Sequence, residues 1–486
     1  APVGTRSGYG AHSRDICRSL IDLDRFDVKI YPVRWGNTPQ NALSEQNSHD
    51  LPIIKRLLGS PNMDRQPDIH VHIVVPNEFK PIGKYNIGIT AGIETTLCPA
   101  EWIQGLNKMD LNIVPANFVK ETIDRSQFDE RDTNTGDVLN KLQISKPVEV
   151  LFEGVDTKIY GKTREFSKDL IDAFKPIKED FCFLFVGHWL AGNLGEDRKD
   201  AGSLLKTFLE TFKNQKNQPA LIMKTGGASP SVLDREEIVN KVNDIKKTVD
   251  GDLPNVYFLH GDLRDEEVNQ LYNHPKVKAH ITFTHGEGFG RPLLEASLSE
   301  KPILAPAWGG QIDFLSKDNA FLLPGSLSEV KKDSIPKGML VQGAQWFTVN
   351  YHYCSNVMKE VVKNYSKHIV KGKKLSIINK TRFSLDAMTE KLGKLLDTHL
   401  PTFEAPAQQV DLKLPQLKNI TCPLCYDEDY CFEDVQETFS SFMCFNCGYM
   451  SNSNYTKENL DKIKNTSQLV KDLIVKDESR DIYWYP

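Results

Sequence analysis

Nowhere does the sequence hold the run of about 18 consecutive apolar residues that a membrane-spanning helix requires. Its opening, Ala1-Pro2-Val3-Gly4, has no charged stretch followed by an apolar one, so the pattern of a secretory signal is missing there. Cysteine is sparse, nine in 486 residues. An odd count without that signal argues against a disulfide framework and for a reducing cytoplasm. No internal repeat and no low-complexity tract is visible. Neither sign of charge dominates, with 60 Lys and Arg against 65 Asp and Glu, a net of −5. The remaining proportions, 40% apolar and 26% charged, exclude a disordered or collagen-like chain. At roughly 100–200 residues per domain, the length predicts two to four domains.

The small net charge is unevenly placed. Residues 404–486 hold 14 acids and 8 bases, a balance of −6, which leaves 51 acids and 52 bases, or +1, in residues 1–403. Cysteine is concentrated in the same tail, with five of the nine between Cys422 and Cys447.

The first 400 or so residues alternate β-rich runs with amphipathic stretches, the pattern of parallel α/β layers. Strands are expected at Val28–Val33, Asp68–Val75, Asn86–Thr90, Leu111–Val114 and Val148–Phe152. A second series follows at Phe181–Val186, Ala220–Lys224, Val256–Leu259, Lys278–Thr284, Pro302–Ala305 and Ala320–Leu323. In Ser13–Phe26, Ile16, Leu20 and Leu23 recur at helical spacing. Two such series predict two Rossmann-like domains, residues 1–165 and 166–383, followed by a last helix at 384–400. Pro401 to Pro415 has no periodicity and reads as a linker, ahead of a module at 416–486. A further strand is expected before the glycine-rich loop Gly4–Gly10, where only Ala1–Val3 remain.

The chemistry concentrates in Thr284-His285-Gly286-Glu287-Gly288-Phe289-Gly290-Arg291-Pro292-Leu293-Leu294-Glu295-Ala296. A strand leads in, and Pro292 suits the first turn of a helix, where a missing N–H costs nothing. The glycines allow close backbone approach, and a helix start offers free N–H groups to an anion. Carboxylates repel phosphate, so Glu287 and Glu295 are better placed to accept hydrogen bonds from sugar or ribose hydroxyls.

This segment resembles the E-x7-E signature of retaining GT-B glycosyltransferases, in particular the family-4 group. Lys301 to Asp313, with Gly309-Gly310, is similar to that family's next strand and turn. Ile93 to Trp102 and Val114 to Val119 resemble its acceptor-domain segments, Gly154-Val155-Asp156 its passage between domains, and Arg198-Lys199-Asp200 its donor-phosphate region. The resemblance runs in order over about residues 1–400. It implies a nucleotide-diphosphate sugar as donor, Glu287 at the reacting end of the sugar, Glu295 on the ribose, and the backbone of Gly288, Phe289 and Gly290 around the diphosphate. Lys199 matches the family's lysine, but His188 stands after Gly187 where an arginine is usual, and Lys224 is a further source of positive charge. A neutral histidine is a weaker phosphate clamp than a guanidinium. The acceptor side would be lined by Gly8, Tyr9 and Gly10 of the first loop and by Asn77, Glu78 and Glu94. The implied acceptor is a hydroxyl, on a glycan or lipid-linked glycan, and no catalytic metal is expected. Asp22 and Asp24 lie at a helix end and read as solvated surface.

Cys422-x2-Cys425 and Cys444-x2-Cys447, eighteen residues apart, have the spacing of a four-thiolate zinc site (or iron in its place) of the structural kind. Cys431 reads as a bystander. The module is similar to a zinc ribbon, and so small a unit would need its metal to fold. Zinc ribbons often bind nucleic acid, which suggests hydroxymethylated DNA bases as an alternative acceptor. Asp427, Glu428, Asp429, Glu433, Asp434 and Glu437 lie between the cysteine pairs without one Lys or Arg, the wrong sign for a phosphate backbone. A protein partner suits this acidic module better. A second alternative is a GT-B protein that binds without catalysis, for which His188 is the one sequence indication.

Overall fold

The computed structural model describes residues 1–403, except 37, 64, 132–134, 136, 191, 193, 228–230 and 331–340, together with three strands in the tail. Residues 1–401 form one compact unit and residues 402–486 a second.

The amino-terminal half of the first unit carries strands β1 (Ile69–Ile73), β2 (Tyr85–Ile89), β3 (Leu111–Val114), a hairpin β4–β5 (Phe128–Arg131, Val138–Leu142) and β6 (Val148–Val150). They form a parallel sheet in the order β1-β2-β3-β6, with the hairpin apart from it. All four residues of β3, Leu-Asn-Ile-Val, are buried. A strand covered on both faces shows such a continuous run rather than alternation. The helix Gly8–Asp22 starts at Ser7, whose hydroxyl accepts from the Gly10 N–H at 3.0 Å. Its Ile16 packs with Ile73, Ile87 and Ile113 of the sheet and with Leu385, Met388, Leu392 and Leu396 of the helix Leu385–His399. Ser19 and Thr389 join the two helices by a hydroxyl pair at 2.7 Å.

The carboxy-terminal half holds β7 (Cys182–Val186), β8 (Ala220–Lys224), β9 (Val256–Leu259), β10 (Val277–Ile281), β11 (Ile303–Pro306) and β12 (Phe321–Leu323). This sheet is parallel, in the order β12-β11-β10-β7-β8-β9. Successive strands therefore move outward from β7 on one side and from β10 on the other. An open α/β sheet leaves a crevice at such a reversal, beyond the carboxyl ends of its strands. A hairpin, β13–β14 (Gly325–Glu329, Gln345–Val349), follows, then the helices Tyr351–Lys363 and Tyr365–Arg382.

One expected strand is absent as a ladder. Val28–Val33 makes a single isolated bridge, Ile30 to Leu57. Ile30 is its one buried residue, Lys29 and Tyr31 are exposed, and Pro32 has no N–H to extend the pairing. Neither hairpin was expected, because β4 and β5 carry no apolar run and β13 is mostly exposed.

In the second unit β15 (Cys431–Val435), β16 (Ser440–Cys444) and β17 (Met450–Ser453) form an antiparallel sheet in which Cys431 and Cys444 are register partners. Cys422, Cys425 and Cys447 lie outside the described residues, Cys444 is described by its backbone alone, and residues 404–415 of the linker also lie outside.

Candidate active site

The loop after β10 folds around two constraints. Gly290 has φ +97°, a left-handed conformation that side chains disfavour, and it turns the chain into the helix Arg291–Ser297. A Cβ on Gly288 would lie 2.0 Å from the carbonyl oxygen of Ala91, and one on Gly286 would lie 2.4 Å from that of Glu94. The close approach at these glycines is thus to the backbone of the amino-terminal half. The same loop, residues 91–96, is tied to the start of β14, where Thr96 N–H donates to the Gln345 carbonyl at 2.8 Å and Gln345 N–H to the Thr96 hydroxyl at 2.9 Å.

Two cations are pinned beside this loop. The Arg198 carbonyl accepts from the His285 N–H at 2.9 Å and from the Thr284 hydroxyl at 3.3 Å. Lys199 donates its Nζ hydrogen to Glu287 Oε1, with side-chain exposures of 12% and 13%. Arg198 donates from Nη1 to Glu94 Oε1 at 2.5 Å, an ion pair that spans the two halves. Burial pushes Glu287 upward, but Lys199 and Arg198 outweigh it and hold the carboxylate below its usual range. Burial and the neighbouring Arg198 lower Lys199, against the pull of Glu287. His188, at the end of β7, is lowered by burial and by the positive charges of Lys199, Arg198 and Lys224. Lys224, at the end of β8, is lowered by burial. Four basic side chains from three segments therefore share one electrostatic neighbourhood at the reversal of strand order.

A second cluster lies one helical turn on. Arg291 Nε donates to Glu295 Oε1 at 2.8 Å, and its Nη1 donates across to Asp15 Oδ2 on the first helix at 2.5 Å. The Tyr272 hydroxyl donates to the other Glu295 oxygen at 3.2 Å. Burial lifts Glu295 to about 7, with Arg291 pulling the other way. Glu153, just beyond β6, is also lifted to about 7 by burial, and Asp15, Glu295 and Glu287 repel its charge while Arg291 attracts it.

Of the residues singled out from the sequence, Glu287, Lys199, His188, Lys224 and Glu94 gather in the first cluster and Glu295 in the second. Gly288 and Gly290 shape the loop, while Phe289 is 3% exposed and its ring packs on Phe314. Gly8 and Gly10 belong to the first turn of helix Gly8–Asp22. Tyr9 between them stacks on Trp35, shares a hydroxyl contact of 2.8 Å with Thr90 and accepts from the Ala91 N–H at 3.2 Å. It thereby supports the 91–96 loop. Asn77 and Glu78 sit exposed in the turn Pro76–Glu78 against helix Ala100–Leu106, and among the described residues no hydrogen bond or ion pair joins their side chains to either cluster. Glu153, Arg291 and Tyr272 were not among the expected site residues. Their one sequence signal is position, an acid beyond a strand end in the case of Glu153.

The protonation of Glu153 has a consequence for stability. Its carboxyl is at about 7 in the folded protein and at about 4.3 in an unfolded chain. Between those values the folded state holds a proton that the unfolded state lacks, so stability falls as pH rises from about 5 to 7. Glu295 adds to the same slope. Glu153→Gln is expected to remove roughly half of it, read as urea midpoints at about pH 5 and pH 8. A slope unaltered in the variant would mean that Glu153 is ionised in the fold.

No protein-family model matches the chain, and no curated protein matches it. Among solved structures it is similar to Anabaena HepE in complex with UDP and glucose, at 14% identity and TM-score 0.43, over 65% of this chain and 72% of that one. It is similar to sucrose-phosphate synthase from Thermosynechococcus elongatus at 16% identity and TM-score 0.42, over 61% and 60% of the two chains. The E. coli trehalose-6-phosphate structure with bound UDP-2-fluoro glucose matches at 10% identity and TM-score 0.47, over 70% and 75%. Among the described residues no helix is long and apolar enough to cross a membrane.

Proposed function

We propose that the chain is a GT-B glycosyltransferase of the family-4 type, which moves a sugar with retention from a nucleotide-diphosphate sugar to a hydroxyl acceptor. One observation carries this reading: Lys199 and Glu287 are paired at the carboxyl ends of the strands where strand order reverses, with Arg198, Lys224 and His188 around them. Breaking the bond between anomeric carbon and phosphate leaves a dianion, and fixed positive charge in a water-poor site lowers that barrier. In this scheme Lys199 and Arg198 face the departing diphosphate, so Arg198 supplies the guanidinium that His188 does not. Glu287 faces the electron-poor sugar, and Glu295, oriented by Arg291 and Tyr272, takes the ribose hydroxyls. The acceptor approaches from the side of Glu94 and Tyr9, towards the face the leaving group vacates. Residues 1–165 would serve the acceptor and 166–383 the donor, and a zinc held by Cys422, Cys425, Cys444 and Cys447 would stabilise the tail of a cytoplasmic enzyme.

A melting-temperature screen against UDP-, GDP-, ADP- and TDP-sugars tests the reading. A ligand present at 100 times its dissociation constant should stabilise the fold by about 2.7 kcal/mol. Stabilisation together with nucleotide diphosphate release supports a transferase. Stabilisation without release under any acceptor favours a binding protein, and no response to any of the four removes the donor site.

A further inference from the structure

The helix Tyr365–Arg382 carries six lysines and arginines and not one aspartate or glutamate. Its inward face consists of His368, Gly372, Leu375, Ser376 and Asn379, all buried. On the opposite face Val370 and Ile377 are 63% and 71% exposed. Seven residues make nearly two turns, so these side chains lie within about 20° of each other around the axis. Lys367 and Lys374 flank that line on one side and Lys373 and Lys380 on the other, within about 80° of Val370, and all four are exposed. Two acids beside this helix are already engaged, Glu360 with His368 and Asn364, and Glu300 with Lys162. A surface helix ordinarily turns its apolar stripe inward and its polar stripe outward. Here the inward stripe is present, and a second apolar line faces water between two rows of lysines.

We propose that this face docks the chain on an anionic lipid surface. A helix lying in the membrane plane places apolar side chains at the acyl boundary and its lysines at the headgroups. Lysine stems are long enough to lie along apolar surface while the ammonium reaches the phosphates. A nucleic acid would engage the lysines and leave Val370 and Ile377 in water, so the exposed apolar line favours a bilayer. Two apolar side chains insert shallowly, which makes the attachment reversible and dominated by charge. The inference is independent of the transferase reading.

Vesicle flotation of the full chain tests it, with phosphatidylcholine vesicles and with vesicles that also contain phosphatidylserine. The wild type should float with the mixed vesicles, fail to float with phosphatidylcholine alone, and be released by added salt. At roughly fivefold per lysine, the combined change Lys367→Ala, Lys373→Ala, Lys374→Ala and Lys380→Ala should lower partitioning by two to three orders of magnitude. Val370→Ser with Ile377→Ser should lower it several-fold and leave the salt dependence as it is. All six positions are exposed, so melting temperatures should stay near that of the wild type. Failure of the wild type to float with mixed vesicles, or equal floating of the lysine variant, overturns the proposal. So does a serine variant that floats like the wild type while duplex DNA displaces both, which would make the face a polyanion site.

Discussion

Lys199→Ala is expected to slow transfer by about 10²–10³ and to leave the fold intact. The ammonium is held in a buried site, hydrogen-bonded to Glu287 and repelled by Arg198. Positive charge fixed in this way before reaction needs no reorganisation when negative charge develops on a leaving group, and it acts through little intervening water. In the substrate-free protein Glu287 satisfies the ammonium, and a diphosphate would draw it away. Lys199→Arg keeps the charge but replaces a compact ammonium by a planar fork, so only part of the rate should return. The measurement is nucleotide diphosphate release at saturating donor, with a melting curve to show that each variant is folded. Turnover within about threefold of wild type in Lys199→Ala would remove the lysine from leaving-group chemistry, because a loss of about 10²–10³ corresponds to a barrier difference of about 3–4 kcal/mol.

The strands that position this lysine were readable because a parallel sheet covered on both faces imposes continuous apolar runs, as in β3, β7 and β8. Val28–Val33 has a similar composition but only one buried residue, and burial is set by neighbours that composition does not name. Glu287, Glu295 and the three glycines were visible because a single loop and helix bring them together. The partners from the other half were not. Arg198 meets Glu94 across 104 positions and Arg291 meets Asp15 across 276, and no local pattern encodes such pairs. Glycines 286 and 288 were legible as points of close backbone approach, and the carbonyls of Glu94 and Ala91 lie beside them. A close-approach glycine announces that something comes near without saying what. The protonation of Glu153 was equally hidden, since burial decides it and an acid beyond a strand end can as easily be solvated.

Arg291→Ala should be the most destabilising single change at the site, by about 3–5 kcal/mol. The guanidinium is enclosed between Asp15 and Glu295, with side-chain exposures of 15%, 4% and 8% for the three residues. Removing it leaves two buried carboxylates facing a third, Glu153. Arg18 still reaches Asp15 at 3.2 Å, but it also holds Asp50 at 3.0 Å, so it can replace only part of the lost charge. Glu295 has just the Tyr272 hydroxyl left and would take up a proton more readily, which should make the variant's loss smaller at acid pH than at neutral pH. The comparison that separates pairing from packing is Arg291→Met combined with Asp15→Asn and Glu295→Gln. Neutralising all three removes the uncompensated charges while keeping most of the volume, and replacement of a whole buried ion cluster is often close to neutral. Urea or thermal midpoints of the single and triple variants should therefore differ, with the triple variant recovering most of the loss. Equal midpoints for Arg291→Met alone and for the triple variant would mean that Arg291 stabilises the fold through its aliphatic packing, and an Arg291→Ala variant within about 1 kcal/mol of wild type would mean that water reaches the cluster and screens it. The pair also joins the first helix to the helix after β10, so Arg291→Ala should loosen the two halves, read as faster amide exchange in residues 91–96 and 284–290, where their backbones touch.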